Sequence, residues 1–299
     1  MTPFKLTDEL LAEIELLIES GKDEDLKSFM EELHYADIAE IANDLNESSA
    51  TYLIKLLDSD KTSDILIELD DDVRESILKN LSSKEIAEEL EELDTDDAAD
   101  IVGELPEEIV EEVISEIEDR EHAKDIVDLL RYKENSAGGL MAKELVKVNE
   151  NWNVLTCVKE MRAQAENVTR VHSIYVVDND DKLIGRLSLK DLLTTSTKSP
   201  IKDVYIPKVD RVNVNEKPEE VAKIMSKYDL EAIPLVDEIG RLVGRITIDD
   251  IVDVIRQEAE KDYQMAAGIS QDVEADDSIW DLTRARLPWL FLGLLGGIG

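Results

Sequence analysis

Leu33, Leu45, Leu57, Leu69, Leu81, Leu93, Leu105, Ile117 and Leu129 fall at a constant step of 12 residues. Eight positions after them come Ile41, Leu53, Ile65, Ile77, Ile101 and Val113, with Glu89 and Asp125 standing where the other units carry an aliphatic side chain. Two apolar positions at this spacing give each unit one greasy face, and Asp or Ser near each start supplies an N-cap. The pattern predicts a run of short amphipathic helices. A unit this short cannot bury its face alone, so neighbours must stack into a right-angled or superhelical array, expected over residues 1–133.

At Asn135 to Leu145 (NSAGGLMAKEL) the periodicity changes, Gly138 and Gly139 break helix, and a β-rich pattern begins. A second repeat follows, longer than the first. The stretch from Ile174 to Asp178, with Leu183 to Leu192 behind it, recurs as Ile233 to Asp237 with Leu242 to Ile251, at an offset of 59 residues. In each copy an acidic helix (Val154 to Ala163; Pro218 to Tyr228) precedes a strand, a turn at Asp, a second strand and a last helix. Each unit therefore reads β-α-β-β-α. Beyond it, Asp253 to about Gly268 and Asp276 to Arg286 read as two further helices, the second running into an apolar stretch, Leu287 to Gly299. Those 13 residues fall short of the roughly 20 that cross a bilayer, so they are expected to be the start of a truncated transmembrane helix. Arg284 and Arg286 just ahead of it suit a cytoplasmic flank.

Charge narrows the choice of partners. Lys and Arg number 33 against 71 Asp and Glu, a formal charge of −38, which repels nucleic acid and anionic lipid and attracts metal cations. Disorder does not follow, because 43% of the residues are hydrophobic and regularly spaced. A single cysteine, Cys157, allows no internal disulfide and fits a reducing compartment, and the first residues lack a secretory leader.

The candidate chemistry is carboxylate chemistry. Hard divalent cations take oxygen ligands, so one or two carboxylates from each contributing element suffice to hold one. Asp249, Asp250 and Asp253 open one helix, with Glu258, Glu260 and Asp262 further along, and Asp96, Asp97 and Asp100 form a similar knot in the helical array. Catalysis finds little support. His34, His122 and His172 are scattered, Cys157 has no nearby histidine, and Gly-rich phosphate loops, zinc spacings and nucleophile elbows do not occur.

The paired unit resembles tandem CBS domains, whose signature is a strand ending in Val-Asp, a Leu-x-Gly turn, and Ser/Thr-x-x-Asp ahead of the last helix. Ser188 with Asp191 and Thr247 with Asp250 match it. Taken with the acidic twelve-residue helical repeat, the linker Tyr132 to Met141 and the helix running into Arg284 to Trp289, the chain resembles the MgtE family of magnesium transporters and channels. The resemblance implies a multidomain α and α/β protein: a superhelical solenoid at 1–133, CBS domains at 134–200 and 201–256, a connecting or plug helix at 257–286, and the first transmembrane helix from 287 to 299. It implies no enzyme but a magnesium-sensing region on the cytoplasmic face of the inner membrane. There Mg2+ held between solenoid, CBS pair and connecting helix closes a transmembrane pore that lies outside this chain. The acids it maps for that role are Asp96, Asp100, Glu219, Asp229, Asp250, Asp253, Glu258 and Asp262, although Arg256 and Lys261 place cations beside the last of them. It further implies a homodimer through the CBS helices, and ATP against Ser188, Lys190, Asp191 and Thr247, with Ser173 standing where an aromatic would stack on adenine. Nucleic acid is not an expected partner. A soluble CBS-pair sensor of adenine nucleotides, regulating another protein, is the alternative.

Overall fold

Every twelve-residue unit is one helix in the computed structural model, which describes residues 4–165, 168, 170–252, 254–256 and 259. After α1 (Asp8–Glu19) and α2 (Asp23–Glu31) come α3 (Tyr35–Asp44), α4 (Glu47–Leu56), α5 (Ser59–Ile67), α6 (Asp71–Lys79), α7 (Ser83–Glu91), α8 (Thr95–Glu104), α9 (Glu107–Glu116) and α10 (Arg120–Leu129). Each begins just past its repeat leucine or isoleucine. Those residues close the joints: Leu45, Leu69, Leu93, Leu105, Ile117 and Leu129 are buried, as are the aliphatic residues eight positions after the repeat leucines.

Helices of nine or ten residues joined by two- or three-residue turns cannot run back along themselves, so contacts skip a unit. α3 packs on α5, α5 on α7 and α7 on α9, while α4 packs on α6 and α8 on α10. The polar links follow the same rule. Lys55 Nζ reaches Glu85 at 3.0 Å, Arg74 forks onto Glu104, and the Asn43 carboxamide oxygen accepts from Asp70 N at 3.1 Å. Helix starts are set locally. Asn46 accepts from Ser49 N, Asp119 accepts from Glu121 N and His122 N, and Ser82 forms a reciprocal capping box with Glu85. Residues 1–133 make one compact unit, on which Met141–Glu144 also fold.

The second compact unit carries the β-rich repeat. Its first copy is β1 (Val146–Asn149), α11 (Val154–Ala165), β2 (Ile174–Val177), β3 (Leu183–Leu187) and α12 (Leu189–Thr194). The second is β4 (Val212–Asn213), α13 (Pro218–Tyr228), β5 (Ala232–Val236) and β6 (Leu242–Thr247), with 248–252 helical. In both sheets the first strand runs parallel to the second, and the second antiparallel to the third. The offset of 59 holds for the second and third strands but becomes 64 for the first strand and helix, because the connection into β2 is longer than that into β5.

The two copies meet about a local pseudo-twofold axis. Leu183 N donates to Gly240 O at 3.0 Å, and Leu242 N donates to Asp181 O at 2.9 Å, the same bond read from either side. Around it Tyr175, Val177, Leu183, Val236 and Leu242 share one apolar cluster. Residues ahead of β1 cross to the second copy, Ala137 N bonding Glu216 O and Gly138 N bonding Val214 O. Among the described residues no helix is long and apolar enough to cross a membrane. The connecting-helix expectation and the apolar stretch 287–299 lie outside the described residues.

Candidate functional site

Asp94 occupies the N-cap position of α8, yet its side chain does not cap that helix. The role passes to Glu144, 50 residues on, whose carboxylate accepts from Thr95 N at 3.2 Å and from Thr95 Oγ1 at 2.9 Å. Lys143 N in turn donates to Thr95 Oγ1 at 2.9 Å, which pins the Met141–Glu144 segment against the start of α8. A carboxylate is favoured there by the exposed N–H groups and the positive end of the helix dipole.

This fold-back gathers acids. Oxygens of Asp94, Asp96 and Glu144 lie within 4.8 Å of one another, each residue half-buried. Burial, and then the Asp94 charge, raise Glu144 above the ordinary glutamate range. Two oxygens on one magnesium ion stand roughly 3–4 Å apart, from bond lengths near 2.1 Å, so only a small closing movement or a bridging water separates this trio from a shared cation.

The other expected ligands are dispersed. Asp100 is exposed on α8 and belongs to no such group. Glu219 sits in the first turn of α13 with one carboxylate oxygen buried and without a hydrogen-bond partner. Asp229 ends the same helix in the left-handed region at φ 53°. At 1.5 Å rise per residue the two are about 15 Å apart, too far for one ion. Asp253, Glu258 and Asp262 lie outside the described residues.

The Ser/Thr-x-x-Asp elements differ between the copies. In the second, Thr247 N and Oγ1 both donate to one oxygen of Asp250, at 3.0 and 2.7 Å. Burial pushes Asp250 up to about 6 even against those two bonds. In the first, Ser188 precedes α12 without such a bond, with Lys190 exposed and Asp191 half-buried beside it. The residue equivalent to Lys190 in the second copy is Asp249. The first element thus pairs one cation with its aspartate where the second carries two aspartates.

The remaining candidates are structural or unengaged. His34 caps α3 through Nδ1, and His122 Nε2 lies 2.9 Å from Leu90 O. His172 Nδ1 has no hydrogen-bond partner, the nearest Glu231 oxygen being 3.8 Å away, and burial with Arg245 and Arg170 lowers its pKa. Cys157 is buried, its thiol pushed up to about 11 by burial, which suits a small core residue and not a nucleophile.

The sequence profile of the MgtE intracellular N domain matches residues 33–135, and that of the CBS domain matches 137–197 and 201–257. A magnesium transporter MgtE of Bacillus subtilis is 31% identical over 294 residues, covering 97% of this chain and 65% of the relative. The solved cytosolic domain of the Mg2+ channel MgtE in complex with ATP superposes with a TM-score of 0.74 at 32% identity, covering 82% of this chain and 99% of that one. The chain belongs to the MgtE family. A further member, the magnesium transporter MgtE of Thermus thermophilus, is 37% identical over 58% of this chain and 39% of its own length. The chain thus spans between about two fifths and two thirds of these MgtE relatives, which are transporters by name and not enzymes. Along this chain the N-domain profile match comes first and the two CBS matches follow it.

Proposed function

We propose that this chain is the magnesium-sensing regulatory part of a magnesium transporter, working at the cytoplasmic face of the membrane beside a transmembrane pore domain. The observation that carries the reading is the Asp94, Asp96 and Glu144 trio, whose donors are all hard oxygens, as magnesium requires. A cation there favours the ionised Glu144 carboxylate against the burial, and then the Asp94 charge, that raise it. Ions that bind one arrangement of the sensor better than another shift its population by that difference in affinity, and the pore reads the shift. Glu219 and Asp250 are the candidate carboxylates of the second CBS copy. The open Ser188, Lys190 and Asp191 element of the first copy is the candidate ATP site, in keeping with the ATP in the solved relative.

The repeat supplies a matched control. Asp58 and Asp60 stand three units before Asp94 and Asp96 in the same register, so Asp58→Asn with Asp60→Asn removes the same charge from the same helix position. Calorimetric titration with Mg2+ should show Asp94→Asn with Asp96→Asn weakening the tightest binding at least tenfold, and the control pair less than twofold. Equal losses in the two pairs would reduce the trio to generic surface charge. Absence of Mg2+ binding together with ATP binding would favour the soluble nucleotide sensor instead.

A further inference from the structure

Among the described residues, Glu89 is the one carboxylate placed at an aliphatic position of the twelve-residue repeat with no cation to offset it. We propose that Glu89 makes the α5–α7 stack a proton-responsive joint, tight when its carboxyl group is neutral and looser once the proton leaves.

The geometry is specific. The Glu89 carboxylate accepts from Thr62 Oγ1 at 2.5 Å, and Thr62 on α5 is fully buried. The equivalent positions hold Ile41, Leu53, Ile65, Ile77, Ile101 and Val113, all buried, so an ionised group here occupies what the array treats as core. The charges around it do not help. On its own helix the neighbours are Glu85, Glu88 and Glu92, and Lys84 is engaged with Glu88. At the N-cap of α5 and along it, Asp58, Asp60 and Asp64 are acidic, and the Lys61 ammonium donates to Met30 O at 2.6 Å. On α9, packed against the other side of α7, every charged residue is a glutamate: Glu107, Glu108, Glu111, Glu112 and Glu116. Asp125, the other carboxylate exception, differs in having Lys143 and Lys124 as favourable neighbours.

Burial pushes Glu89 up to about 7 from an ordinary 4.5, and Glu88, Glu92 and Glu85 add repulsion, while the Thr62 hydrogen bond pulls the other way. The sign follows from linkage. The folded chain holds this proton where the unfolded chain has released it, so stability contributed here falls as pH rises from about 4.5 through about 7 and is level above that.

The test is a carbon-13 titration of glutamate carboxyls in the full chain, with the Glu89 signal assigned by its loss in Glu89→Gln or by its shift in Thr62→Val. The expected midpoint is about 7, moving higher in Thr62→Val. Urea unfolding should show Glu89→Gln losing less stability than the unaltered chain between pH 5.5 and pH 8. A Glu89 midpoint at its ordinary value would overturn the proposal. So would an unchanged pH slope in a folded Glu89→Gln, or a midpoint that falls in Thr62→Val. The titration of the unaltered chain decides the matter even if Glu89→Gln fails to fold.

Discussion

A methyl group added to Gly185 on β3 would lie 2.4 Å from Ile206 O and 2.4 Å from the Tyr205 ring. The backbone oxygen cannot retreat, because Ile206 is tied to Arg186 by hydrogen bonds of 3.0 and 2.9 Å in both directions. Gly185→Ala should therefore cost about 2 kcal/mol of unfolding free energy, the scale of overpacking a filled site. Gly103, near the end of α8, has nothing within 4 Å of its added methyl. Gly103→Ala should instead stabilise by about 0.5 kcal/mol, through helix propensity. Urea unfolding of both variants checks the pair, and a loss at Gly103 equal to that at Gly185 would refute the steric argument. At this scale the sequence is only half legible. Asp96 stands out as one of a knot of acids, but Asp58 with Asp60 and Asp70 with Asp72 repeat the same Asp-x-Asp spacing. What separates Asp94 and Asp96 from these is Glu144, brought to Thr95 from 49 residues away, and no local pattern announces that meeting. The one faint signal was the acid in the changeover segment itself, Lys143-Glu144 straight after the Gly-Gly break.

Elements were much more readable, for a physical reason. A helix of nine or ten residues is decided by its own caps and by two apolar positions, all inside a twelve-residue window. Ser82 with Glu85 shows this best: the side chains of both cap each other's backbone, and Lys55 of α4 binds the same carboxylate. The backbone and side-chain hydrogen bonds from Ser82, then that from Lys55, hold Glu85 down to about 2. Because the folded value is depressed, the benefit is fully present above about pH 4.5 and is lost as pH falls through about 2. Ser82→Ala should cost about 1 kcal/mol at pH 7, the usual worth of an N-cap. Its difference from the unaltered chain in urea midpoint should narrow steadily below pH 4. A constant difference down to pH 2 would mean that the Glu85 charge plays no part. The β-rich repeat was legible in its strands for the same local reason. Its change of offset from 59 to 64 was not, since connections such as that between α11 and β2 carry no periodicity.

At the scale of the whole molecule, the surface left uncovered on the CBS pair predicts how chains associate. Leu189 and Leu193 are 59% and 77% exposed on α12, and their counterparts 59 residues on, Ile248 and Val252, are 38% and 47% exposed, with Ile255 beside them. Soluble domains rarely leave such matched apolar faces open, and two faces related by an internal pseudo-twofold suit an isologous dimer, each patch meeting itself. Opposing this is the formal charge of −38 on each chain, which repels a second copy at long range. Added salt weakens the repulsion, the Debye length falling from about 10 Å at 0.1 M to about 3 Å at 1 M, and leaves apolar contact intact. Sedimentation at tens of micromolar should then find twice the 33.7 kDa chain mass, with dimers favoured by rising sodium chloride. Leu193→Glu with Val252→Glu should give monomers at every salt concentration, because each dimer would bury four unpaired carboxylates. An unaltered chain that stays monomeric at high salt, or a double variant that still dimerises, would show that these faces are not the contact.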